Sequence, residues 1–251
     1  MKRAALITNA GLSNRFSESL GRQVLKCIYY DKNVTDSLLG KQLNILANND
    51  IKDIYIVGGH KFDELKQYIE NNFSQYNIHL IYNSKYDRGT CYSFYCGIRE
   101  IQQTCNIDEL LFLEGDIFAK QKDFQNIIKS KNNVLTYNDN LIDAEKSVIF
   151  YQLMNGRIKY LFDTSHSELF IPEPFKLLGN SGQIWKFNNF NDLCSVFHEL
   201  NEEEIYGTNL IPIEKYFINR KNIDIIKLSP WINCNIIDDY KIILEMEYGN
   251  N

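Results

Sequence analysis

The first half of the chain alternates short apolar runs with segments that carry apolar side chains every three or four residues. This alternation constrains the fold more than any other feature. The apolar runs predict buried strands, which lie at residues 3–8, 52–59, 78–83 and 108–116. The periodic segments predict helices, which lie at residues 39–51, 61–73, 90–102 and 124–130. Strands that alternate with helices in this way predict a parallel sheet with helices on both of its faces.

The second half of the chain has a different pattern, in which strands follow one another before helices resume. Strands are predicted at residues 133–138, 146–162 and 182–187, with an Asn-Gly hairpin turn inside the second of these segments. Helices are predicted at residues 191–200 and 210–219, followed by a strand at 223–228. We expect one domain over residues 1–251. Residues 133–235 extend the sheet of residues 1–132 and form a small α+β lid, and residues 236–251 form a closing helix.

Composition and charge exclude several classes of partner. A net charge of −5 over 251 residues provides no basic footprint for duplex nucleic acid, although a local cationic pocket is compatible with a small anion. The first apolar run is too short for a signal peptide, and no stretch reaches the roughly 20 apolar residues of a membrane helix. Six cysteines without a CxxC pair indicate reduced thiols. We expect a cytoplasmic protein that binds neither nucleic acid nor membrane.

A loop of small residues follows the first strand and ends in an arginine. In a parallel sheet, ligands bind beyond the carboxyl ends of the strands, where this loop lies. Small residues let backbone N–H groups approach phosphate oxygens, and Arg15 adds a bidentate cation. The alternative is a plain turn before a helix, because such loops are weak evidence by themselves. The candidate phosphate-binding residues are Asn9, Ala10, Gly11, Leu12, Ser13 and Arg15.

Two charged residues outside the loop are further candidates. Asp116 ends a buried strand, where a carboxylate is costly unless it is paired or binds metal, and the alternative is a helix N-cap. Lys26 suits a transferring phosphate as a compact point charge, and the alternative is a solvated lysine. The chain has neither a G-x-G-x-x-G fingerprint nor a G-x-x-x-x-G-K-[ST] loop. A dinucleotide-binding fold and a P-loop are therefore set aside.

The motifs occur in an order that resembles a known family. The loop with its arginine and the later lysine are followed by DIYIVGG, YNSKYDRGTCYS, LLFLEGD and the terminal NCNIIDDY. In this order they resemble the nucleotidyltransferases that make nucleotide sugars and CDP-alcohols, most closely the bacterial phosphocholine-type cytidylyltransferases. The resemblance implies a Rossmann-like α/β fold, the nucleotide-diphospho-sugar transferase fold. In it, residues 1–132 bind the nucleoside triphosphate and residues 133–235 bind the acceptor.

The resemblance also implies a role for individual residues. Asp116 and Asn235 hold Mg²⁺ if Asp239 is the helix residue four positions later. Asp238 is a competing candidate for the metal ligand because of its charge. The structural alternative to a metal site is an Asx turn that caps the last helix. Arg15 and Lys26 are the catalytic cations. The implied nucleotide contacts outside the loop are Gly58, Gly59, Thr90, Ser93 and Gly115, with a helix cap as the alternative for Thr90. The implied acceptor contacts are Trp185 and Tyr206.

We therefore expect transfer of CMP from CTP to a small phosphorylated or phosphonate acceptor. One alternative is a sugar-1-phosphate nucleotidyltransferase that uses another nucleoside triphosphate. A second is a non-catalytic nucleotide-binding protein, because Asn9, Ser13 and Leu25 depart from the family pattern. A homo-oligomer is compatible with every one of these functions.

Overall fold

A mixed sheet forms the centre of the protein. The computed structural model describes residues 1–143, 148–161 and 169–248, and within them nine strands join in one sheet. Two short strands, β5 (Ile117–Ala119) and β11 (Trp231–Asn233), pair with each other outside it. The strands of the sheet are β1 (Arg3–Asn9), β2 (Asp53–Gly58), β3 (Asn77–Tyr82), β4 (Glu109–Glu114), β6 (Asn133–Asn138), β7 (Ile149–Leu153), β8 (Ile158–Tyr160), β9 (Phe175–Phe187) and β10 (Ile223–Lys227).

The order of the strands joins both halves of the chain. β1 lies between β2 and β4 and is parallel to both, and β3 continues the parallel set beyond β2. β9 runs antiparallel between β4 and β6, and β10 pairs in parallel with β6. The order is β10–β6–β9–β4–β1–β2–β3, with β7 attached to β9 and β8 to β7. The second half thus extends the sheet of the first, while the division at residue 132 stays a prediction.

Helices cover both faces of the sheet, and β1 shows how. Ala4 and Leu6 pack into one hydrophobic core with side chains of the fourth, sixth and eighth helices. Ala5 and Ile7 pack into a second core with the second, third and fifth helices. Because both faces are covered, the central strands are nearly continuous apolar runs. The helices are α1 (Asn14–Leu20), α2 (Leu38–Ala47), α3 (Phe62–Asn72), α4 (Thr90–Thr104), α5 (Gln121–Lys129), α6 (Phe190–His198), α7 (Glu202–Ile205), α8 (Leu210–Phe217) and α9 (Ile237–Tyr248).

Most predicted elements are present with ends that differ by a few residues. The predicted strand at 182–187 is only the last part of β9, whose first four residues are exposed or half-buried and show no alternation. The segment 146–162 contains the hairpin of β7 and β8, and its residues 146, 147 and 162 lie outside the described residues. The short elements α1, α7, β5 and β11 were not predicted, because they carry too few apolar positions to show a period. None of the described helices is long and apolar enough to span a bilayer.

α4 packs closely on β1 at Gly97. A Cβ atom at this position would lie 2.4 Å from Cδ1 of Leu6, a side chain that is fully buried in the core. Glycine thus lets the helix approach the strand. This contact positions the first turn of α4 at the carboxyl edge of the sheet.

We expect Gly97→Ala to lower the free energy of unfolding by about 1–3 kcal/mol, because the added methyl group overpacks the core against Leu6. Urea denaturation measures the change. Gly11→Ala is the matched control, since a Cβ there would meet no atom within 4 Å. The control should change the unfolding free energy by no more than about 0.5 kcal/mol. Equal stabilities of Gly97→Ala and the wild type would contradict the close packing.

Candidate active site

A cleft opens at the carboxyl edge of the parallel strands, where the sequence predicts the ligand site. Its volume is about 280 Å³. The walls come from the ends of β1 and β4, the loops after them, the first turn of α4 and the residue before α8. The lining residues are Thr8, Asn9, Ala10, Gly11, Ser13, Leu25, Lys26, Cys27, Tyr86, Gly89, Thr90, Ser93, Glu114, Gly115, Asp116 and Asn209.

The loop after β1 forms one wall of the cleft. Ser13, just before α1, has a φ of 59°, in the left-handed region that favours glycine. Its hydroxyl accepts a hydrogen bond of 3.1 Å from the backbone N–H of Lys26. Serine at this position therefore keeps the sharp turn and ties the loop to the segment that carries Lys26. The loop residues that line the cleft as predicted are Asn9, Ala10, Gly11 and Ser13.

Lys26 and Asp116 meet in this cleft although they are far apart in the chain. The Nζ of Lys26 lies 3.0 Å from Oδ2 of Asp116, and their side chains are 15% and 28% exposed. Lys26 is therefore not a solvated surface lysine. Asp116 is not a helix N-cap either, because β5 follows it directly and α5 begins only at Gln121. The pair puts one cation and one carboxylate in contact with solvent inside the cleft.

Asn235 lies beside this pair because β11 pairs with β5. The backbone N–H of Cys234 donates to the carbonyl oxygen of Asp116 at 2.9 Å. Arg15 donates from its guanidinium to Oδ1 of Asn235, also at 2.9 Å. Asp239 accepts from the backbone N–H of Asn235 at 2.7 Å, which is the four-residue relation that the sequence predicts. These contacts join Arg15 to Asn235 and place the segment of Asn235 next to the backbone of Asp116, although neither Arg15 nor Asn235 lines the cleft.

Asp238, the competing candidate, lies elsewhere. Its carboxylate pairs with Lys241 one turn along α9, at 2.8 Å, and both side chains are exposed. It lines none of the cavities at the carboxyl edge. The Asx-type hydrogen bonds at this helix start are made by Asp239, which accepts from Asn235 and Ile236. The structure therefore places Asn235, and not Asp238, near Asp116.

Glu114 is a cleft residue that the sequence analysis missed. Its carboxylate accepts from Asn209 at 2.9 Å and from Gln183 at 2.8 Å. Burial, and then the neighbouring charge of Asp116, raise the pKa of Glu114 to about 7. The signal was available in the motif EGD, where two carboxylates stand at the end of one buried strand. The hydrogen-bonding partners, from β9 and the residue before α8, were not visible in the sequence.

Thr90, Ser93 and Gly115 line the cleft as predicted, and each has a structural bond or contact as well. Thr90 is the first residue of α4 rather than its cap, and its hydroxyl accepts from the backbone N–H of Asn209 at 3.0 Å. Ser93 accepts from the side chain of Asn83 at 2.9 Å. A Cβ on Gly115 would lie only 1.7 Å from Oδ1 of Asn9. Glycine is thus required where the ends of β1 and β4 meet.

Four predicted nucleotide contacts, Leu12, Arg15, Gly58 and Gly59, do not line the cleft, and their role in nucleotide binding stays a prediction. A Cβ on Gly58 would meet the side chains of α3, and one on Gly59 would meet Tyr86 and the carbonyl oxygen of Ala10. Both glycines allow close packing behind the loop. Leu12 is 41% exposed and is not part of the lining.

Neither of the predicted acceptor contacts, Trp185 and Tyr206, lines the cleft or the neighbouring cavity. Trp185 is fully buried in the core, where its indole N–H donates to the hydroxyl of Tyr160 at 2.8 Å. It lies on β9, which is covered on both faces, so its ring packs inside the protein. Tyr206 stacks on Tyr92, and its hydroxyl accepts from Lys85 at 2.6 Å. It lines neither the cleft nor the neighbouring cavity.

A second and larger cavity lies next to the cleft. Its volume is about 630 Å³, and Asn235 belongs to its wall. A hydrogen bond of 3.3 Å from Asn233 to Gln183 connects its wall to Glu114 in the cleft. The described residues of its lining are Asp139, Asn140, Leu141, Asp143, Asn180, Ser229, Pro230, Trp231, Ile232, Asn233, Asn235, Asp239, Ile242 and Met246.

The family model described as "Domain of unknown function (DUF6564)" matches residues 22–247. The chain belongs to this family. It is also similar to a protein of Campylobacter jejuni named CTP:phosphoglutamine cytidylyltransferase, with 25% identity over 96% of this chain and 99% of the relative. Among solved structures, it is similar to the inositol-1-phosphate CTP transferase from T. maritima, with a TM-score of 0.70 and 15% identity. That alignment covers 99% of this chain and 97% of the other.

These comparisons confirm the resemblance that the ordered motifs indicate. The C. jejuni relative bears the name of a cytidylyltransferase, and its alignment covers nearly the whole of this chain. The structural likeness to the T. maritima protein confirms the predicted α/β fold. The residues of the cleft can therefore be interpreted within a nucleotidyltransferase fold.

The raised pKa of Glu114 predicts a pH-dependent stability. Its carboxyl group binds the proton more tightly in the folded protein, with a pKa of about 7, than at its ordinary pKa of 4.5. Its favourable contribution is therefore complete at low pH and is lost as the pH rises from about 4.5 to about 7. Glu114→Gln removes this loss. We expect the melting temperature of the variant, relative to the wild type, to rise between about pH 5 and about pH 8.

The rise should amount to a few degrees, since 1 kcal/mol corresponds to about 2–4 °C for a protein of this size. Scanning calorimetry across this pH range measures it. Glu203→Gln is the control, because Glu203 is exposed on α7 and its replacement should give a constant difference from the wild type. A constant difference for Glu114→Gln as well would contradict the raised pKa.

Proposed function

We propose that this protein is a cytidylyltransferase that transfers CMP from CTP to a small phosphorylated acceptor and releases pyrophosphate. The observation that carries the proposal is the contact of 3.0 Å between Lys26 and Asp116, inside a cleft walled by a small-residue loop. The name of the C. jejuni relative, which covers nearly the whole chain, supports the same activity. We further propose that the protein acts in the cytoplasm.

The reaction brings two anions together, so the protein must chiefly neutralise charge and fix positions. An oxygen of the acceptor phosphate attacks the α-phosphorus of CTP and forms a new P–O bond. The bond between that phosphorus and the oxygen bridging to the β-phosphate breaks. Its electron pair leaves with pyrophosphate, so no proton has to move in the transfer itself.

The residues of the cleft divide this work by position. The backbone N–H groups of the loop at residues 10–13 bind the triphosphate, since small residues leave them accessible. Arg15 and Lys26 are the cations within reach, and the guanidinium suits two phosphate oxygens at once. Lys26 is held against Asp116 and near the loop by the hydrogen bond to Ser13. We assign Lys26 to the phosphate that is transferred or attacks, and Arg15 to the triphosphate.

Magnesium is the cofactor that we propose for this site. The chemistry of the donors fits it, because Asp116 and Asn235 offer hard oxygen ligands. The segments that carry them are joined by the hydrogen bond from the backbone of Cys234 to that of Asp116, and Oδ1 of Asn235 accepts from Arg15. The described residues contain no cluster of three or more His, Cys, Asp or Glu side chains suited to a metal. Mg²⁺ is typically held by one or two protein ligands together with substrate phosphates. When bound, it would neutralise charge on those phosphate oxygens.

The acceptor that we propose is a small non-sugar phosphate or phosphonate. The C. jejuni relative is named for phosphoglutamine, whose nitrogen-containing group differs from a sugar. The two aromatic residues predicted as acceptor contacts, Trp185 and Tyr206, line neither cavity, whereas Trp231 lines the second one. The acceptor must therefore be recognised by other groups.

Titration calorimetry with CTP, UTP, ATP and GTP, each with Mg²⁺, tests the choice of nucleotide, and CTP should bind tightest. Pyrophosphate release is then measured with CTP and a panel of phosphorylated amines, amides, alcohols and hexoses. Tighter binding of another nucleotide would overturn the choice of CTP. Binding of CTP without pyrophosphate release in any mixture would favour a non-catalytic nucleotide-binding protein.

We expect Asp116→Asn to reduce turnover by at least about 10²-fold, because it removes the carboxylate charge from the proposed metal site. Pyrophosphate release at saturating Mg²⁺ measures the effect, and the melting temperature checks the fold. Asp238→Asn is the matched control, since it removes an exposed carboxylate at the start of α9. The control should keep its activity. Near-wild-type turnover of Asp116→Asn would exclude the proposed role.

A further inference from the structure

We infer that the 630 Å³ cavity beside Asn235 binds the head group of the acceptor, and that it selects a head group with nitrogen-bound hydrogens, an ammonium or a primary amide. The inference rests on the proposed function, because only a phosphorylated acceptor needs a second cavity next to the cleft. We call this space the head-group cavity. Its recognition groups are Asn180 and Asn233, together with the three aspartates of its lining.

The position of the cavity follows from the geometry of transfer. The acceptor phosphate must lie near Lys26 and Asp116, where it can reach the α-phosphorus of CTP. Asn235 adjoins Asp116 through β11 and also lines the head-group cavity. An acceptor whose phosphate lies at this junction extends its other end into the cavity. No other described cavity combines this volume with a wall shared with the proposed metal site.

A chain of hydrogen bonds fixes which way the amide of Asn233 points. The carboxylate of Glu114 accepts from Nε2 of Gln183 at 2.8 Å, so the other atom of that amide, Oε1, faces away. This Oε1 accepts from Nδ2 of Asn233 at 3.3 Å. The Oδ1 of Asn233 is thereby left as a hydrogen-bond acceptor. It is buried and has no partner among the residues that the structure describes.

Asn180 provides a second acceptor on another wall. It lies on β9 opposite Asn138 of β6, at the same edge of the sheet, and is 5% exposed. Its Oδ1 is also buried without a partner in the described part of the chain. A buried carbonyl oxygen without a hydrogen bond costs about 1–3 kcal/mol. Both oxygens are closed to solvent in this conformation, so a ligand recovers this free energy if the two amides turn to expose them and it donates to both. A ligand without donors does not.

Charge distinguishes this cavity from the cleft. Asp139, Asp143 and Asp239 contribute carboxylates to its wall, and within the described ranges no lysine or arginine lines it. Asp139 pairs with Lys227 at 2.6 Å, and Asp239 accepts from two backbone N–H groups. Trp231 adds an aromatic wall, and its indole N–H donates a hydrogen bond of 2.8 Å to the carbonyl oxygen of Gly182. Such a lining disfavours a head group that is itself an anion.

The hydrogen-bond acceptors in the cavity wall suit a head group with N–H donors better than one with a hydroxyl. An ammonium has three N–H donors and an amide nitrogen has two, and neither nitrogen presents an acceptor lone pair. A hydroxyl has one donor and two lone pairs, which would face further carbonyl and carboxylate oxygens. A trimethylammonium has the charge but no donor. The cavity therefore suits a head group with N–H donors above these alternatives.

Four two-carbon phosphates that differ only in their end group test this selection. They are 2-aminoethyl phosphate, 2-hydroxyethyl phosphate, phosphocholine and phosphoglycolate. Each is titrated into protein saturated with α,β-methylene-CTP and Mg²⁺, and turnover is measured in parallel with CTP. We expect 2-aminoethyl phosphate to bind at least about tenfold more tightly than the other three, which corresponds to one or two hydrogen bonds.

Asn233→Leu and Asn180→Leu remove the two oxygens at similar side-chain volume. Each should reduce the preference for 2-aminoethyl phosphate over phosphocholine to about threefold or less, while the affinity for CTP stays unchanged. Asn191→Leu, at an exposed position on α6, is the matched control and should keep the full preference. Should Asn180→Leu fail to fold, Asn233→Leu alone decides, since Asn233 is only half-buried.

The outcomes separate this inference from the proposed function. CTP binding and pyrophosphate release without a preference for 2-aminoethyl phosphate would overturn only the inference. The same holds if none of the four phosphates binds the nucleotide-saturated protein, or if the asparagine variants keep the full preference. Absence of CTP binding would instead overturn the proposed function, and the inference with it.

Discussion

The parallel pairing of β1 with β2 and β4 is the constraint on which the site depends. The register places Asn9 opposite Gly58, and Thr8 opposite Glu114, so three strands end along one line. Each strand is followed by a loop, and these loops meet because the strand ends do. The antiparallel pair of β11 and β5 then brings Asn235 to the same edge, next to Asp116. A different strand order would scatter the same side chains over the molecule.

Electrostatics explain why this edge is suited to anion chemistry despite the acidic chain. Glu114 and Asp116 stand two residues apart, and Lys26 neutralises the more exposed of the two. Burial and the charge of Asp116 raise the pKa of Glu114, so the folded protein accepts a carboxyl group that is costly to ionise. Such a cost in stability is characteristic of functional sites, where groups are positioned for chemistry and not for packing.

Gln183 joins the cleft to the head-group cavity. It has a φ of 56°, a left-handed conformation that costs a residue other than glycine roughly 1–2 kcal/mol. β9 also departs from its register with β6 in this region, between Leu135 and Tyr137. The conformation is held by the hydrogen bonds of the side chain to Glu114 and Asn233. Local strain thus persists where it orients the polar groups of two neighbouring cavities.

The sequence by itself determined the secondary structure of the first half and the parallel sheet. Continuous apolar runs and periods of three to four residues are local signals, and they record which strands are buried on both faces and which face of a helix is buried. It also singled out Lys26, Asp116 and Asn235 as candidate site residues, because ordered motifs and a four-residue spacing to Asp239 survive in the chain. Only the tertiary structure decided the roles of Glu114, Asn209 and Gln183, and the burial of Trp185. Their contacts join residues about 50 to 100 positions apart, and such pairs depend on strand order and register, which no local pattern specifies.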